Sequence, residues 1–348
     1  MPYQPRIDLD QPVRDRLVLR TVPGAVDYLA EELKQLPATV LRRDPDRLLV
    51  EYAGPLRPLA AVRYFDICAV DLDFGSSEDF GPSEDFGPSE LGLPDRLASS
   101  LKDGALAALR PVDGPVRFRV GAVEGRWELR DRLIDGYGWR NDPKSWDVNI
   151  EPHGVELGAL YLTQRYGELR RTPASTNPLV GAVLVRLAKI QPGQTVLDPF
   201  CGAGTLLVLA GEMAQPGQLL GGDIQARWLA LAAENIQLRG VAASLARFDA
   251  RRLPITSGAV DRVLANLPFG KRVGSHRVNE DLYPAALREI ARVLRGGGRA
   301  ALLTDDKRLF RQTVQRTPLV RVIKEVVLAR GGLRPSIFIV AKRGSHRV

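Results

Sequence analysis

Residues 198–205 read Asp-Pro-Phe-Cys-Gly-Ala-Gly-Thr and stand between two apolar runs, 195–197 and 206–210. A short buried run that meets a longer one across two glycines predicts a strand turning sharply into a helix. Glycine lets the backbone approach a ligand closely, and the free N–H groups at the start of the helix attract an anionic group. A Gly-x-Gly turn alone is a weak signal, because dinucleotide sites and plain tight turns share it.

Polar residues also end the three apolar runs that follow. Asp223 lies 25 residues after Asp198, the distance at which a crossover helix returns to the next parallel strand. Asp249 and Asn266 close the next two predicted strands. Ligands of open parallel sheets bind at the carboxyl ends of the strands. The four side chains therefore predict a single ligand site on a doubly wound α/β domain.

The last of these strands runs into the tetrad Asn-Leu-Pro-Phe at residues 266–269. The side-chain oxygen of Asn266 and the carbonyl oxygen of Leu267 can accept the two hydrogens of an amine, which localises the lone pair of its nitrogen. Phe269 offers a ring on which a flat base can stack, and an ordinary core aromatic is the alternative. The tetrad is therefore a candidate amine-binding site.

From about residue 172 onward the chain resembles a class I methyltransferase, and the tetrad is similar to the Asn-Pro-Pro-Tyr/Phe motif of enzymes that methylate exocyclic amines. Leu267 departs from the commoner proline, as in part of the family that methylates tRNA guanine. The resemblance implies S-adenosylmethionine as cofactor, with Asp223 on the ribose and Asp249 on the adenine. Its implied cofactor residues are Asp198, Phe200, Cys201, Gly202, Gly204, Thr205, Asp223, Ile224, Asp249, Ala250 and Asn266; its implied catalytic residues are Asn266, Leu267, Pro268 and Phe269.

Two smaller α+β stretches precede this domain. The first is predicted as a strand and turn at 17–24, a helix at 25–36, a strand at 48–52, a helix at 58–64 and a strand at 67–74. The second is predicted as strands at 116–120, 146–150 and 155–162 with a helix at 127–137. The order of these helices and strands resembles that of the ferredoxin-like and THUMP domains of RNA-modifying enzymes. The resemblance implies that the second stretch binds the end of a tRNA acceptor stem.

The expected organisation is a ferredoxin-like domain at 1–75, a THUMP RNA-binding domain at 76–170 and a Rossmann-like class I methyltransferase domain at 171–348. Residues 76–90 contain a tandem Ser-Glu-Asp-Phe-Gly-Pro repeat. Such an acidic segment punctuated by glycine and proline cannot bury a core, so it is predicted to be a mobile loop without a catalytic role.

A helix before the glycine turn and a hairpin near the end of the chain complete the predicted domain. A helix at 180–188 follows the segment 172–179, and Ser175 or Thr176 could cap it. Near the end of the chain, strands at 321–328 and 336–341 predict the antiparallel edge hairpin that class I methyltransferases carry.

The charge is unevenly distributed. The formal net charge is +8, yet residues 1–90 carry 17 acidic against 10 basic side chains, whereas the rest of the chain carries 24 against 39. A basic excess suits a phosphate-rich partner, because each neutralised phosphate releases counterions. Ordinary solvated surface charge is the alternative. The candidate RNA contacts are Arg126, Arg130, Arg170, Arg171, Lys271 and Arg272.

Composition sets limits on the class of protein. No apolar stretch approaches about 18 residues and no signal-peptide pattern follows Met1, so we expect a cytoplasmic protein without a membrane partner. Two cysteines and three histidines predict neither a disulfide framework nor a metal site. Cys201 is not expected to be a nucleophile, since it lies in the cofactor turn without a neighbouring His or basic pair to lower its pKa.

The resemblance implies an enzyme that methylates the N2 amino group of a tRNA guanine, giving N2-methylguanosine at a position-6-like site in the acceptor stem. A monomer is expected. Mono- or dimethylation at another tRNA site, or methylation of ribosomal RNA, are the nearest alternatives. A DNA adenine methyltransferase shares the tetrad but would not be expected to carry the amino-terminal modules. An RNA-binding protein with a vestigial methyltransferase domain is the alternative from another class.

Overall fold

The computed structural model describes residues 7–72, 95–109, 114–123, 125–269, 276–329 and 332–343. The chain divides into two compact units, Met1–Glu168 and Leu169–Val348. The segment 76–90 that is predicted to be mobile, and the candidate RNA contacts Lys271 and Arg272, lie outside the described residues. Within the described ranges, no helix is long and apolar enough to cross a membrane.

The amino-terminal unit is a sheet with short helices. Its described strands are β1 (Pro12–Arg20), β2 (Ala38–Asp44), β3 (Arg47–Pro55), β4 (Ile67–Val70), β5 (Arg117–Val120), β6 (Arg140–Asn141), β7 (Val148–Glu151) and β8 (Gly154–Leu157). They form one sheet in the order β2-β3-β1-β4-β8-β7-β5-β6. The helices are α1 (Val26–Leu33), α2 (Leu56–Ala61), α3 (Asp95–Lys102), α4 (Arg126–Tyr137) and α5 (Leu162–Arg165).

One strand pair connects the two predicted amino-terminal domains. β4 pairs antiparallel with β8, which places Ala69 opposite Glu156 and Val70 opposite Val155. The strands of the predicted ferredoxin-like and THUMP domains therefore share a single sheet. The division of the chain into three domains stays a prediction.

Several elements of this unit differ from the sequence-based expectation, and α3, α5 and β6 were not predicted. β2 was not predicted, because as the edge strand of the sheet it has no buried face and so no alternation of apolar and polar residues. The strand predicted at 155–162 ends at Leu157, and the chain continues through a 3₁₀ turn at Gly158–Leu160 into α5. A glycine after a short apolar run is a turn signal that the prediction missed.

Arg165 holds the loop between α2 and β4 in place. Its guanidinium donates to the carbonyl oxygens of Val62 and Phe65, the latter at 2.6 Å, and its Cζ lies 4.1 Å from the centre of the Phe65 ring. Burial lowers the pKa of the guanidinium to about 10. The side chain remains a cation and satisfies carbonyl groups that would otherwise be buried without donors.

The carboxyl-terminal unit is an open, mostly parallel sheet with crossover helices. Its described strands are β9 (Thr195–Asp198), β10 (Gln218–Asp223), β11 (Ser244–Arg247), β12 (Val260–Asn266), β13 (Leu294–Thr304), β14 (Val320–Val327) and β15 (Ser336–Lys342). The helices are α6 (Pro178–Ala188), α7 (Thr205–Ala214), α8 (Ala226–Leu238), α9 (His276–Val293) and α10 (Lys307–Gln315). The sheet order is β11-β10-β9-β12-β13-β15-β14.

This order creates the crevice in which open α/β sheets bind ligands. From β9 the chain proceeds outward through β10 and β11, then returns to place β12 on the other side of β9. The strand order reverses between β9 and β12, so the loops after these two strands diverge and leave a crevice at their carboxyl ends. The predicted hairpin is confirmed: β15 runs antiparallel to both β13 and β14.

The cap of α6 is a correction to the sequence analysis. The helix is capped by Asn177, whose Oδ1 accepts from the N–H groups of Leu179 at 3.1 Å and Val180 at 3.4 Å. The prediction of Ser175 or Thr176 was wrong. Ser175 instead accepts a hydrogen bond from the Thr172 N–H at 2.7 Å. Pro178 occupies the first helical position, where its lack of an N–H costs nothing, and this places the cap one residue later.

The cap gives a stability prediction. Asn177→Ala should lower the free energy of unfolding by about 1 kcal/mol, because two N–H groups at the start of α6 lose their acceptor. Thr176→Ala, one residue earlier, is the matched control and should cost less. Urea denaturation of both variants and the parent protein measures the difference. Equal losses for the two variants would contradict the assignment of the cap.

Candidate functional site

The glycine turn joins β9 to α7 and is fastened to the neighbouring strand. Gly202 and Gly204 have φ angles of +50° and +78°, which side-chain-bearing residues rarely adopt. The Cys201 N–H donates to the Gly222 carbonyl oxygen at 2.9 Å, and the Gly202 N–H donates to Asp223 Oδ2 at 3.1 Å. A Cβ on Gly202 would meet no atom closer than 4.0 Å. The space beside Gly202 is therefore open to a ligand.

Gly204 allows α7 and α8 to pack closely. A Cβ at this position would come within 3.1 Å of Ala232 on α8. The absence of a side chain lets α7 and α8 approach each other directly behind the turn.

Asp198 is a buried carboxyl group at the end of β9. Its residue is 1% exposed, and its Oδ1 accepts from the Phe200 N–H at 3.0 Å. Burial is the main reason that the pKa of this carboxyl is raised to about 8; the Phe200 N–H opposes the shift and the nearby Asp223 adds to it. A buried carboxyl that accepts from one backbone N–H among the described residues suits a cationic ligand group, such as the ammonium of S-adenosylmethionine. The residues present therefore fit that cofactor.

Asp223 ends β10 and orders the turns on either side of it. Its Oδ2 accepts from the Gly202 N–H and its Oδ1 from the Gln225 N–H, the latter at 2.9 Å. Each carboxylate oxygen has two acceptor positions, so one on each remains for a ligand hydroxyl. Ile224, the next residue, is largely exposed.

Asp249 follows β11 and is paired with an arginine. The Arg251 Nη2 lies 2.6 Å from Asp249 Oδ2, and Arg251 Nε reaches both carboxylate oxygens. These hydrogen bonds from the Arg251 guanidinium hold the pKa of the Asp249 carboxyl below its usual range. The carboxylate is therefore a charged acceptor at the edge of the sheet, and the neighbouring Ala250 is buried.

The tetrad after β12 is anchored from two directions. The Leu267 N–H donates to the Leu303 carbonyl oxygen on β13 at 3.0 Å. The Pro268 carbonyl oxygen accepts from Asn279 Nδ2 at 2.7 Å and from the Tyr283 hydroxyl at 2.8 Å, both on α9. The Leu267 side chain packs into the core of the unit, and Phe269 is half-buried. A leucine therefore fits where the commoner motif has proline.

The Asn266 amide is oriented by the segment before α6. Its Nδ2 donates to the Ala174 carbonyl oxygen at 3.3 Å. Among the described residues, its Oδ1 is a buried atom without a hydrogen-bond partner. Buried polar atoms nearly always have partners, so an unsatisfied oxygen at this position points to a donor that a ligand brings. The Leu267 carbonyl oxygen likewise accepts no hydrogen bond within the described chain.

The structure brings the predicted residues to one edge of the sheet. β11, β10, β9 and β12 are neighbours in that order and run parallel. Their carboxyl ends, with the turns that follow, carry Asp249 and Ala250; Asp223 and Ile224; Asp198, Phe200, Cys201, Gly202, Gly204 and Thr205; and Asn266, Leu267, Pro268 and Phe269. The assignment of a role to each residue stays a prediction.

Sequence reasoning missed the residues that support this edge. Asn235 on α8 is buried; its Oδ1 accepts from the Arg170 N–H at 2.7 Å, and its Nδ2 donates to the Ala203 carbonyl oxygen at 2.7 Å. Asn279 and Tyr283 were missed as well. Because all three side chains bond backbone atoms remote in sequence, no local pattern reveals them. The one available signal is the spacing of four residues between Asn279 and Tyr283, which puts both on one face of a helix.

Cys201 has the environment of a structural thiol. It is buried, and burial together with the nearby Asp198 and Asp223 raises its pKa. A thiol held protonated in this way is a poor nucleophile. Within the described part of the chain, no group of three or more His, Cys, Asp or Glu side chains could hold a metal ion.

The four described candidate RNA contacts lie on α4 and in the segment that begins the carboxyl-terminal unit. On α4, Arg126 and Arg130 place their guanidinium carbons 4.4 and 4.9 Å from the ring centre of Trp127, which is 55% exposed. Arg170 and Arg171 are exposed at the start of the carboxyl-terminal unit. An exposed aromatic ring beside two guanidinium groups is a surface on which nucleic-acid bases can stack.

The carboxyl-terminal unit has the fold of a Rossmann-like class I methyltransferase domain. Residues 168–335 match the family model UPF0020, described as the RMKL-like methyltransferase domain. The crystal structure of TrmN from Thermus thermophilus matches with a TM-score of 0.69 and 26% identity, over 94% of this chain and 99% of that one. The predicted α/β fold and the predicted resemblance are thereby confirmed.

Two curated relatives are named as enzymes. The tRNA (guanine(6)-N2)-methyltransferase of Thermus thermophilus is 35% identical over 191 residues, which cover 54% of this chain and 56% of that protein. The tRNA (guanine(6)-N(2))-methyltransferase THUMP3 of Bos taurus is 30% identical over 231 residues, which cover 60% of this chain and 46% of that protein. The chain thus spans about half the length of the curated relatives it matches.

The burial of Asp198 gives a prediction for the pH dependence of stability. A carboxyl whose pKa rises from 3.8 to about 8 on folding makes the folded state progressively less stable as pH rises between those values. Asp198→Asn removes this loss. The melting temperature of the variant minus that of the parent should therefore increase from pH 4 to pH 8 and level off above about pH 8.

Differential scanning calorimetry across this pH range measures the difference. Asp281→Asn, at an exposed position of α9, is the matched control and should show no such trend. A difference for Asp198→Asn that stays constant with pH would contradict the buried environment of the carboxyl.

Proposed function

We propose that this protein transfers a methyl group from S-adenosylmethionine to the exocyclic N2 amino group of a guanine in tRNA, in the acceptor stem, giving N2-methylguanosine. The observation that carries this proposal is the buried Oδ1 of Asn266, at the end of the strand beside the glycine turn, which has no hydrogen-bond partner among the residues that the structure describes. The names of the relatives from Thermus thermophilus and Bos taurus support the choice of guanine N2 and of tRNA.

The sheet edge provides a place for each part of the cofactor. S-adenosylmethionine supplies, when bound, an electrophilic methyl group on a sulfonium sulfur. The buried Asp198 would accept from its ammonium group, and the open side of Gly202 gives room for the adjoining chain. Asp223 would accept from the ribose hydroxyls, and Asp249 would face the adenine amino group with Ile224 beside the ring.

The tetrad prepares the amine for attack. The lone pair of an exocyclic guanine amine is delocalised into the ring, so the amine is a poor nucleophile. Asn266 Oδ1 and the Leu267 carbonyl oxygen would accept its two hydrogens, fix the nitrogen in line with the methyl group and stabilise the positive charge that develops on it. The half-buried Phe269 would stack on the base and exclude water.

Recognition of the RNA would fall to the basic surfaces. Arg126 and Arg130 beside the exposed Trp127 provide guanidinium groups for phosphates and a ring for a base. Arg170 and Arg171, together with Lys271 and Arg272, would add phosphate contacts. The proposed organisation is a ferredoxin-like domain at 1–75, a THUMP domain at 76–170 and a methyltransferase domain at 171–348, acting as a cytoplasmic monomer.

The role of Asn266 can be tested directly. Asn266→Ala should lower kcat by at least about 100-fold, because the amine loses an acceptor that acts in the transition state. Binding of S-adenosylmethionine, measured by isothermal titration calorimetry, should stay within about threefold of the parent protein. Asn141→Ala, at an exposed asparagine of β6, is the matched control and should leave both quantities unchanged. A fully active Asn266→Ala protein would exclude this role.

The substrate is tested by incubating the protein with labelled S-adenosylmethionine and unmodified total tRNA. Mass spectrometry of the digested tRNA should find the label in N2-methylguanosine, and fragment mapping should place it in the acceptor stem. A folded protein that binds no S-adenosylmethionine would favour a vestigial domain. Label in dimethylguanosine, or only in ribosomal RNA supplied in parallel, would contradict the proposed product or substrate.

A further inference from the structure

Two donors from α9 converge on one carbonyl group of the tetrad. Asn279 Nδ2 and the Tyr283 hydroxyl both donate to the Pro268 carbonyl oxygen, at 2.7 and 2.8 Å. The Tyr283 oxygen also lies 2.9 Å from Thr304 Oγ1 at the end of β13. Both lone pairs of the Pro268 carbonyl are thus engaged, and the peptide that follows Pro268 has a fixed direction.

The peptide that precedes Leu267 is fixed as well, so the peptide that carries the Leu267 carbonyl lies between two restrained peptides. The Leu267 N–H donates to the Leu303 carbonyl oxygen at 3.0 Å. Restrained before and after, the Leu267 carbonyl oxygen keeps one direction, and within the described chain it accepts no hydrogen bond. The same carbonyl oxygen is one of the two proposed acceptors for the amine.

Asn279 holds the tetrad in place but lowers the stability of the fold. The residue is 0% exposed, and among the described residues its Oδ1 is buried without a hydrogen-bond partner. An unsatisfied buried acceptor lowers the stability of the fold, a loss that a leucine of similar shape would avoid. Groups that lower stability in this way concentrate at functional sites, where geometry matters more than the stability of the fold.

We propose that Asn279 and Tyr283 are positioning residues for methyl transfer: by sharing the Pro268 carbonyl oxygen, they aim the Leu267 carbonyl oxygen and Asn266 at the substrate amine. The inference rests on the proposed function. Neither side chain needs to touch the substrate or the cofactor. Their effect should therefore fall on kcat and spare the binding of both.

The decisive variant is Asn279→Leu, which removes the donor and the unpaired oxygen together. It should lower kcat for the tRNA substrate by about 10- to 100-fold, because a small displacement of a positioning group is enough to misalign reacting atoms. The KM for tRNA and the Kd for S-adenosylmethionine should stay within about threefold of the parent values. The melting temperature should stay equal or rise, an outcome that a merely structural role would not give.

Tyr283→Phe and the double variant complete the test. Tyr283→Phe should lower kcat in the same way, and Asn279→Leu combined with Tyr283→Phe should lower it by less than the product of the two single effects, since both act through one carbonyl group. Glu280→Gln, at the exposed position next to Asn279, is the control and should leave kcat unchanged.

A readout independent of catalysis is the hydrogen exchange of the tetrad amides, followed by mass spectrometry. Exchange at the Leu267 N–H should be faster in the double variant than in the parent protein, because the loop is released from α9. An Asn279→Leu protein with the parent kcat, or one in which kcat and melting temperature fall together, would overturn the inference. A parent protein that methylates no tRNA guanine would instead overturn the proposed function, and the exchange result would still stand.

Discussion

The site depends on the fastening of the glycine turn to the end of β10. Two backbone N–H groups, of Cys201 and Gly202, donate to the Gly222 carbonyl oxygen and to the Asp223 carboxylate. The same carboxylate caps the next turn through the Gln225 N–H. One short segment therefore sets the position of the β9 loop, of the start of α8 and of the acceptors for a ligand. If Asp223 moved, the glycine turn would lose the contact that keeps its open side toward the crevice.

The part of the site that follows strand ends could be predicted from the sequence. A buried strand, two glycines and an apolar helix leave a local signature, and the spacing from Asp198 to Asp223 is fixed by the length of a crossover helix. Asn266 was predicted for the same reason. The edge strand β2 was not, because an edge strand with no buried face has no apolar alternation. The predicted cap lay one or two residues before Asn177. Ser, Thr and Asn are all good caps, and Pro178 at the first helical position is what selects Asn177.

The supporting residues could not be predicted, and the reason is physical. Asn235, Asn279 and Tyr283 act by hydrogen bonds to main-chain carbonyl and N–H groups, which every residue carries. The amino-acid type of the residue that supplies the main-chain group gives no sign of such a bond. Only the folded chain reveals that α8 reaches the glycine turn and that α9 reaches the tetrad. The residues at the strand ends can therefore be predicted from the sequence, whereas the residues that hold their loops in place cannot.

Three buried polar groups at or beside the same edge oppose the stability of the fold. Asp198 is held with a raised pKa, and the oxygens of Asn266 and Asn279 are buried without partners among the described residues. Each lowers the stability of the fold. The first two are explained by donors that a ligand supplies, an ammonium group for Asp198 and an amine hydrogen for Asn266. Asn279 has no such donor in the proposed mechanism, so its cost must be offset by what its other atom does. That atom, Nδ2, holds the Pro268 carbonyl oxygen together with the Tyr283 hydroxyl, and in the proposed mechanism this pair of bonds keeps the neighbouring amine acceptor in place.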